Sequence, residues 1–537
     1  MNKEKITKIY LLNVPLENDY KNTLYFTSEE NQQSYFKSKV VDSLTLDDSS
    51  YQRKDKYIRY PKGYDDLYTC NYVMYQNKAY SNKWFYAFIT DLEYINDELT
   101  YIHIETDVMQ TWMFDYQIKS SFVEREHVSD DTIGKHTLPE GLELGEYISN
   151  RHNKDDKLKE GYKFVVASTV AIDGLGDTPE ESGVALELYG GMYGGIYTGP
   201  RYYTYEADTT VKQDKLGVFL QAVADQSGPE AISSVFMAPK FLCKGGTNQD
   251  EEGIAKNTTI PNTSGHEYYD HIENKPFTEF GIDEYHPVNN KLFTYPYCYL
   301  HVDNGNGSNA IYHYEYFKND EMKFHVEGVL CPGCSIRMVP LDYKGSAYSD
   351  KEGLNLGKYP VCSWATDSYT NWLTQNSVNV ASGYISGAFQ GIGGLLDKDI
   401  EGTTKGILGI QNTIRQKKNA EMIPPQTSGN VNCGDVNTAA KTNTFHYYHM
   451  SIRSEYARII DEYFTAYGYM VNRFKVPNKA HRSRFWYTKT LDINIDGGIP
   501  AKDMEKIKSC YNNGITFWRN ANEINDYSLS NGIVKEG

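Results

Sequence analysis

The sequence predicts a mainly β chain with a few helices (α+β), built from several domains and carrying one long Gly-rich hydrophobic loop. Three observations lead there. Runs of aromatic and β-branched residues of strand length, separated by Gly- and Asn-rich turns, fill the first two thirds of the 537 residues. A sustained three-and-four spacing of apolar residues, the mark of an amphipathic helix, comes only near the end, over Ile452–Tyr467. Between these regions, Ser368–Leu396 contains no charged residue at all.

In chain order, Ile6–Val14 and Tyr57–Tyr60 read as short strands. Lys83–Thr90 (KWFYAFIT) and Leu99–Glu105 (LTYIHIE) are stronger ones, and Asn96, Asp97 and Glu98 between them mark a hairpin. Val128–Gly161 is polar and loop-like, and a new strand is expected over Tyr162–Val170. The middle, to about Ser363, mixes short strands with turns such as GGMYGGIYTGP and HVDNGNGSNA. Leu216–Gln226 has the pattern of one modest helix, and Phe293–Val302 with Ile311–Phe317 that of a strand pair. Tyr343–Lys358 reads as a linker. Past the uncharged stretch, Ile452, Tyr456, Ile459, Ile460, Tyr463, Phe464 and Tyr467 recur on one helical face. Gly468 stops that helix as a left-handed cap, Tyr469–Val476 forms a strand ended by Pro477, and Arg482–Ile495 holds at least one more. No repeat of solenoid period occurs. These changes of pattern divide the chain at 1–130, 131–362, 363–445 and 446–537.

The uncharged stretch has its own geometry. Along Val378–Leu396 (VNVASGYISGAFQGIGGLL), helical projection puts Ala381, Ile385, Ala388, Ile392, Leu395 and Leu396 on one side. Gly383, Gly387, Gly391 and Gly394 fall opposite, a small-xxx-small spacing that allows close helix approach. Each Gly costs a helix about 1 kcal/mol against Ala, so the five here cost about 5 kcal/mol. Such a helix forms only against neighbours or lipid. Its length would be about 28 Å, close to the roughly 30 Å of a bilayer's hydrocarbon. Asn379, Ser382, Ser386 and Gln390 make it too polar for an ordinary membrane anchor. A charged turn follows (Asp397, Lys398, Asp399, Glu401), then a second Gly-rich apolar piece, Gly402–Ile414, with Gly406, Ile407 and Leu408 at its centre. Two short arms around a charged tip, then a Pro-, Gly- and Asn-rich return, describe an excursion from a domain; a buried core helix is the competing reading. The candidate membrane-active residues are Ala381, Gly383, Ile385, Gly387, Phe389, Gly391, Ile392, Leu395, Leu396, Gly406, Ile407 and Leu408.

Composition narrows the function. A net charge of -17 repels nucleic acid, which argues against a nucleic-acid reader but suits a smooth conduit for DNA. The 47 tyrosines fit half-buried strands and wet interfaces, or simply an AT-rich coding sequence. Eight scattered cysteines lack the density of a disulfide framework, and MNKEKITKIYLLNVPL has no signal-peptide core, so synthesis in the cytosol is expected.

Catalytic signatures are weak throughout. Cys331 and Cys334 have CxxC spacing, but Pro332 and Gly333 between strand-like runs favour a tight turn over a redox or zinc motif. His446 and His449 are three apart without a metalloprotease glutamate, so aromatic neighbours on a strand explain them better. Acidic pairs such as Asp130/Asp131 and Glu180/Glu181 carry no weight without geometry. The run Arg473, Lys475, Lys479, Arg482, Arg484 reads as a subunit contact or solvated strand edge. No enzyme, metal or cofactor is expected.

Two passages carry a resemblance: Asp107–Val128 (DVMQTWMFDYQIKSSFVEREHV) and Ser454–Asn478 (SEYARIIDEYFTAYGYMVNRFKVPN). In sequence and order they resemble the tail knob, or distal tail tube, proteins of phi-29-like short-tailed phages, whose long hydrophobic loop precedes the second passage. The resemblance implies a virion protein of the tail. It implies a homo-hexameric ring with a tail-tube-like β wall, built from 1–130 and 446–537, and an inserted β-rich middle over 131–362. It further implies that the loops of 363–445 plug the tube and then penetrate the host membrane for genome ejection. Its implied partners are the tail tube or lower collar protein above, the tail tip protein below, the host cell membrane, and viral DNA in transit. A receptor-binding module gripping cell-wall carbohydrate through Tyr-rich strands, and a wall hydrolase, are the alternatives.

Overall fold

The computed structural model describes residues 7–46, 56–76, 83–168, 201–205, 232–243, 248–249, 254–258, 266–276, 281–330, 335–357, 359, 361–363 and 443–534. These are mostly strand. The α-helices among them are α1 (Glu29–Ser38), α2 (Val108–Thr111), α3 (Asp156–Lys159), α4 (Ser454–Tyr467) and α5 (Ala501–Asn513). The expected mainly β, multi-domain architecture is therefore the observed one. The chain forms two compact units, one of Met1–Glu146, Glu284–Tyr297 and Arg453–Gly537, the other of Tyr147–Asp283 and Cys298–Ile452.

The first unit holds a six-stranded antiparallel sheet in the order Val40–Leu46, Thr7–Leu12, Tyr72–Gln76, Trp84–Asn96, Leu99–Thr106, Tyr57–Tyr60. The hairpin at Asn96–Leu99 is the one its aromatic flanks predict. Helix α1 starts where the Ser28 hydroxyl accepts from the Asn31 N–H, and it buries Phe36 flat against Tyr72, ring centroids 5.4 Å apart. A five-stranded sheet follows, in the order Asn22–Leu24, Ile515–Trp518, Phe485–Leu491, Ser121–Glu126, Tyr469–Lys475. Phe485, Ile515 and Trp518 of this sheet share one core with Ile9, Leu11 and Tyr72 of the other.

Helix α4 forms where its spacing predicts, but its buried face is Ala457, Ile460, Phe464 and Ala466, leaving Ile459 65% exposed. Ile452 belongs to the preceding strand. Gly468 ends the helix at φ 64° and ψ -155°, so its φ is positive as expected while its ψ is extended rather than left-handed helical. A Cβ there would collide with the Glu126 carbonyl, so space and backbone both demand glycine.

The segment Glu284–Tyr297 is fastened into this unit by charge. Asp461, buried on α4, accepts from the Val288 and Asn289 N–H groups at 2.8 and 3.0 Å and from the Tyr285 hydroxyl at 2.7 Å. Glu140 is buried between Arg125 and Lys291, hydrogen-bonded to both. Burial pushes the Lys291 ammonium below its usual range, with Glu140 opposing.

The second unit contains three sheets around one core. Tyr147–Lys154, His446–Ile452, Cys298–Asp303 and Asn309–Tyr312 make a four-stranded antiparallel sheet. A six-stranded sheet runs Asn248–Gln249, Ile254–Thr258, Arg201–Tyr205, Tyr162–Ser168, Ile232–Pro239, Val361–Ser363. The third pairs His266–Asn274, Glu321–Val329 and Ile336–Tyr343, the last of which also takes Ser346–Tyr348 and Leu354–Leu356. Phe164, Phe236, Phe324, Met338 and Tyr447 bring all three into one core.

Several expectations change. Val128–Gly161 is not all loop: Tyr147–Lys154 is a strand whose polar residues are tolerated because it is an edge with little burial. Tyr343–Lys358 is not a linker, because Leu354 and Leu356 anchor a strand on Ile336–Tyr343. The strand pair expected from Phe293 to Phe317 exists as Cys298–Asp303 with Asn309–Tyr312, flanked by 3-10 turns. Tyrosines Tyr60, Tyr72, Tyr312, Tyr343 and Tyr447 are fully buried, so Tyr serves the core as well as half-buried strands. Tyr60 and Tyr72 hydroxyls satisfy their burial by donating to Asp42 and Asp107. Leu216–Gln226, the GGMYGGIYTGP turn and the Cys331–Cys334 turn lie outside the described residues.

Candidate functional site

Ala381, Gly383, Ile385, Gly387, Phe389, Gly391, Ile392, Leu395, Leu396, Gly406, Ile407 and Leu408 all lie outside the described residues. The two roots of the segment that carries them are described, and both belong to the second unit. On the way out, Tyr359 is buried and Val361–Ser363 pairs along Ile232–Pro239, with Phe236 opposite Val361. On the way back, Asn443, Thr444 and Phe445 are completely buried and lead into His446–Ile452, which lies between Tyr147–Lys154 and Cys298–Asp303. Central position gives this strand two ladders of hydrogen bonds, where an edge strand has one.

Tyr162 ties the roots together. Its ring lies 5.8 Å from that of Tyr359, and its hydroxyl donates to the Asn443 carbonyl at 2.8 Å. Asn443 also accepts through its side chain from Asn306, and the Phe445 carbonyl accepts from the Asp155 N–H at 3.1 Å. Burial pushes the Tyr162 hydroxyl above its ordinary range, so it remains a donor at any working pH.

Beside the return strand is a buried chain of ionisable groups. Glu273 bonds His449 at 3.1 Å, His271 at 2.8 Å and Asn153 at 2.7 Å. Burial alone would raise the Glu273 carboxyl, but the hydrogen bonds from His271, His449 and Asn153 outweigh it and hold it at about 2. The ionised carboxylate thus fastens the return strand, through His449, to His266–Asn274 and, through Asn153, to Tyr147–Lys154. His449 Nδ1 lies 2.8 Å from the Tyr314 hydroxyl, and His271 stacks on Tyr447 at 4.2 Å. Asp155 caps α3, accepts from the Tyr269 hydroxyl at 2.8 Å, and is raised by burial against the opposing pull of His271. The sequence picked out His446 and His449 and placed them correctly on a strand. It gave no reason to choose Tyr162, Glu273 or Asn443, which reach the root from residues distant in the chain.

Glu180, Glu181, Cys331 and Cys334 lie outside the described residues, and the remaining candidates make contacts within the fold. Lys475 pairs with Glu126, Arg484 with Glu523, and Arg482 donates to the Val128 and Asn531 carbonyls. Those three make contacts within the first unit, and of that run Arg473 and Lys479 are exposed. Asp131 accepts from the Tyr469 hydroxyl, while Asp130 binds Lys135 at the surface. Among the described residues no group of three or more His, Cys, Asp or Glu is placed to hold a metal ion, and no helix is long and apolar enough to cross a membrane.

A long polar-rooted insertion in a two-unit β fold, together with a match of residues 5–117 to the Caudoviral major tail protein N-terminus, defines a phage tail protein. Residues 256–532 match the C-terminal domain of the Bacillus phage phi29 tail knob protein gp9. The chain belongs to that tail knob family, and so to the structural proteins of the virion tail. The tail knob protein gp9 of Bacillus phage phi29 is 27% identical, over 97% of this chain and 98% of its own length. That of Bacillus phage B103 is 27% identical, over 97% of each. The bacteriophage C1 tail knob protein gp12 has the same fold, with a TM-score of 0.66 at 14% identity, covering 98% of this chain and all of that one.

Proposed function

We propose that this tail knob protein assembles as a homo-hexameric ring continuing the tail channel, and that residues 364–442 are membrane-active loops. They plug the tube before infection, then enter the host membrane to pass the genome. The observation that carries this reading is the contrast between segment and root. An uncharged, Gly-spaced apolar stretch, stable as helix only in company, is mounted at both ends on hydrogen-bonded strands, with Tyr359 before it and Asn443, Thr444 and Phe445 after it buried. A fixed root restricts rearrangement to the segment itself. The first unit's six-stranded sheet, within the major-tail-protein match, supplies the tube wall in this reading, and the net charge of -17 lets DNA pass without sticking. The partners are the tail tube above and the tip protein below.

Deleting Val378–Ile414 tests it. Electron micrographs of the deletion variant are expected to show rings like the parent's, and dye release from liposomes is expected to vanish. Undiminished release by the shortened protein sinks the membrane role, and an absence of rings from the parent sinks the tube.

A further inference from the structure

The turn that joins Cys298–Asp303 to Asn309–Tyr312 grips both roots of residues 364–442. Asn306 Nδ2 donates to the Gly357 carbonyl at 3.3 Å and to Asn443 Oδ1 at 3.0 Å. One side-chain amide thus holds the outgoing chain two residues before Tyr359 and the returning chain three residues before His446. Beside it, Asn304 Nδ2 donates to the Asn355 carbonyl at 2.7 Å. The turn keeps its shape through Asn304 Oδ1, which accepts from the Asn306 and Ser308 N–H groups at 2.8 and 3.0 Å.

This clasp is written in a reactive sequence. Asn followed by Gly deamidates readily, because a next residue without a Cβ lets its backbone nitrogen reach the side-chain carbonyl carbon. The chain has four such pairs: Asn304-Gly305, Asn306-Gly307, Asn513-Gly514 and Asn531-Gly532. Three are guarded. Asn304 is 3% exposed and bonded through both side-chain atoms, and the Gly305 N–H is committed to Asp303. The Gly514 N–H donates to the Tyr511 carbonyl at 3.2 Å. Asn531 is clamped along its neighbour strand, Oδ1 accepting from the Arg484 and Phe485 N–H groups and Nδ2 donating to the Phe485 carbonyl. At the fourth pair Gly307 is exposed at φ 91°, and its N–H makes no hydrogen bond among the described residues. There the bonds to Gly357 and Asn443 are donated by Nδ2, the atom that leaves in the reaction.

We propose that Asn306 is a site of spontaneous deamidation, and that the reaction opens the clasp on residues 364–442. Gly307 N, giving its proton to solvent, attacks Asn306 Cγ. The Cγ–Nδ2 bond breaks, ammonia leaves and a succinimide closes. Water then adds at either ring carbonyl, giving aspartate or isoaspartate, so one water is consumed for each ammonia released. Both donated bonds are lost, and a negative charge is set against the Gly357 carbonyl and the buried Asn443. Isoaspartate also adds a methylene to the main chain between the two N–H groups that Asn304 holds. Its effect on membrane entry rests on the reading of 364–442 given above; the modification itself does not.

The full-length chain is aged in mildly alkaline buffer, and peptide mass spectrometry follows all four pairs. Asn306 is expected to convert about tenfold faster than Asn304, Asn513 or Asn531, which react only after local opening. Gly307→Ala, whose added methyl meets open space, is expected to slow Asn306 by a similar factor. Conversion at Asn306 no faster than at the other three overturns the site, and that comparison needs no variant. Asn306→Asp is expected to speed amide exchange at both Leu354–Gly357 and Asn443–Phe445 by about tenfold, with the first unit unchanged. Unchanged exchange at the two roots overturns the clasp; should the variant fail to fold, aged against fresh parent decides. Aged protein is expected to release dye from liposomes at a different rate from fresh protein. Equal rates, with root exchange raised, overturn the link to membrane entry alone, and a fresh parent that releases no dye counts against the membrane reading and leaves the modification standing.

Discussion

Acid is expected to weaken the first unit through one histidine, His127. It is buried between Ser121–Glu126, α4 and Phe485–Leu491. Its Nδ1 accepts from the Tyr487 N–H at 2.7 Å, so that nitrogen carries no proton, and its Nε2 bonds the Thr465 carbonyl at 3.0 Å. Burial, reinforced by Arg482 and Arg125, depresses its pKa to about 3, against 6.5 in an unfolded chain. Between those values the unfolded state holds one more proton than the folded one. Stability therefore rises with pH, by about 1.4 kcal/mol per unit, and is lost as pH falls below 6.5 until it levels off near 3. From pH 7 to 5 the loss is about 2 kcal/mol. Glutamine keeps an acceptor and a donor without titrating. Urea unfolding of parent and His127→Gln, followed by tryptophan fluorescence at pH 7, 6 and 5, is expected to show their stability difference closing by about that amount. Parallel curves across the range would refute the assignment of the proton.

Further consequences concern fastening points. Glu140→Gln leaves Arg125 and Lys291 buried without their counter-charge and is expected to cost about 3–5 kcal/mol, read as a lower urea midpoint. Asp461→Ala strands the Val288 and Asn289 N–H groups and should cost about 2–4 kcal/mol, with protease cleavage appearing within Glu284–Tyr297. Gly468→Ala meets both a positive φ and the Glu126 carbonyl, so a loss above about 2 kcal/mol is expected in thermal melts. Tyr162→Phe removes the hydrogen bond to the Asn443 carbonyl and should speed amide exchange at Asn443–Phe445 by about tenfold or more, with exchange in the first unit unchanged.

What the sequence revealed depended on how local each signal was. The Trp84–Thr106 hairpin and α4 were legible because their residues repeat at a period within one element. Helix α5 went unseen: its buried side chains, Ile507, Cys510 and Tyr511, are too few among polar neighbours to stand out, and Trp112 donates to its Asp503 from 391 residues away. Tyr147–Lys154 was hidden because an exposed edge strand needs no apolar alternation. The root of the loop was hidden for another reason. Tyr162 and Asn443 meet across 281 residues, and Glu273 and His449 across 176, so nothing in either neighbourhood announces the other. The ion pairs of the basic run were hidden in the same way, because Glu126 and Glu523, which pair with Lys475 and Arg484, arrive from other strands and turns.

Quenching by lipids brominated in their acyl chains asks directly whether the apolar stretch enters a bilayer. A tryptophan placed by Phe389→Trp adds a signal that can be followed by difference from the parent. The account predicts that brominated liposomes quench this added fluorescence while dye escapes, and that the parent's own tryptophans in the first unit, such as Trp518, are unaffected. Dye release with the added fluorescence undimmed would contradict it.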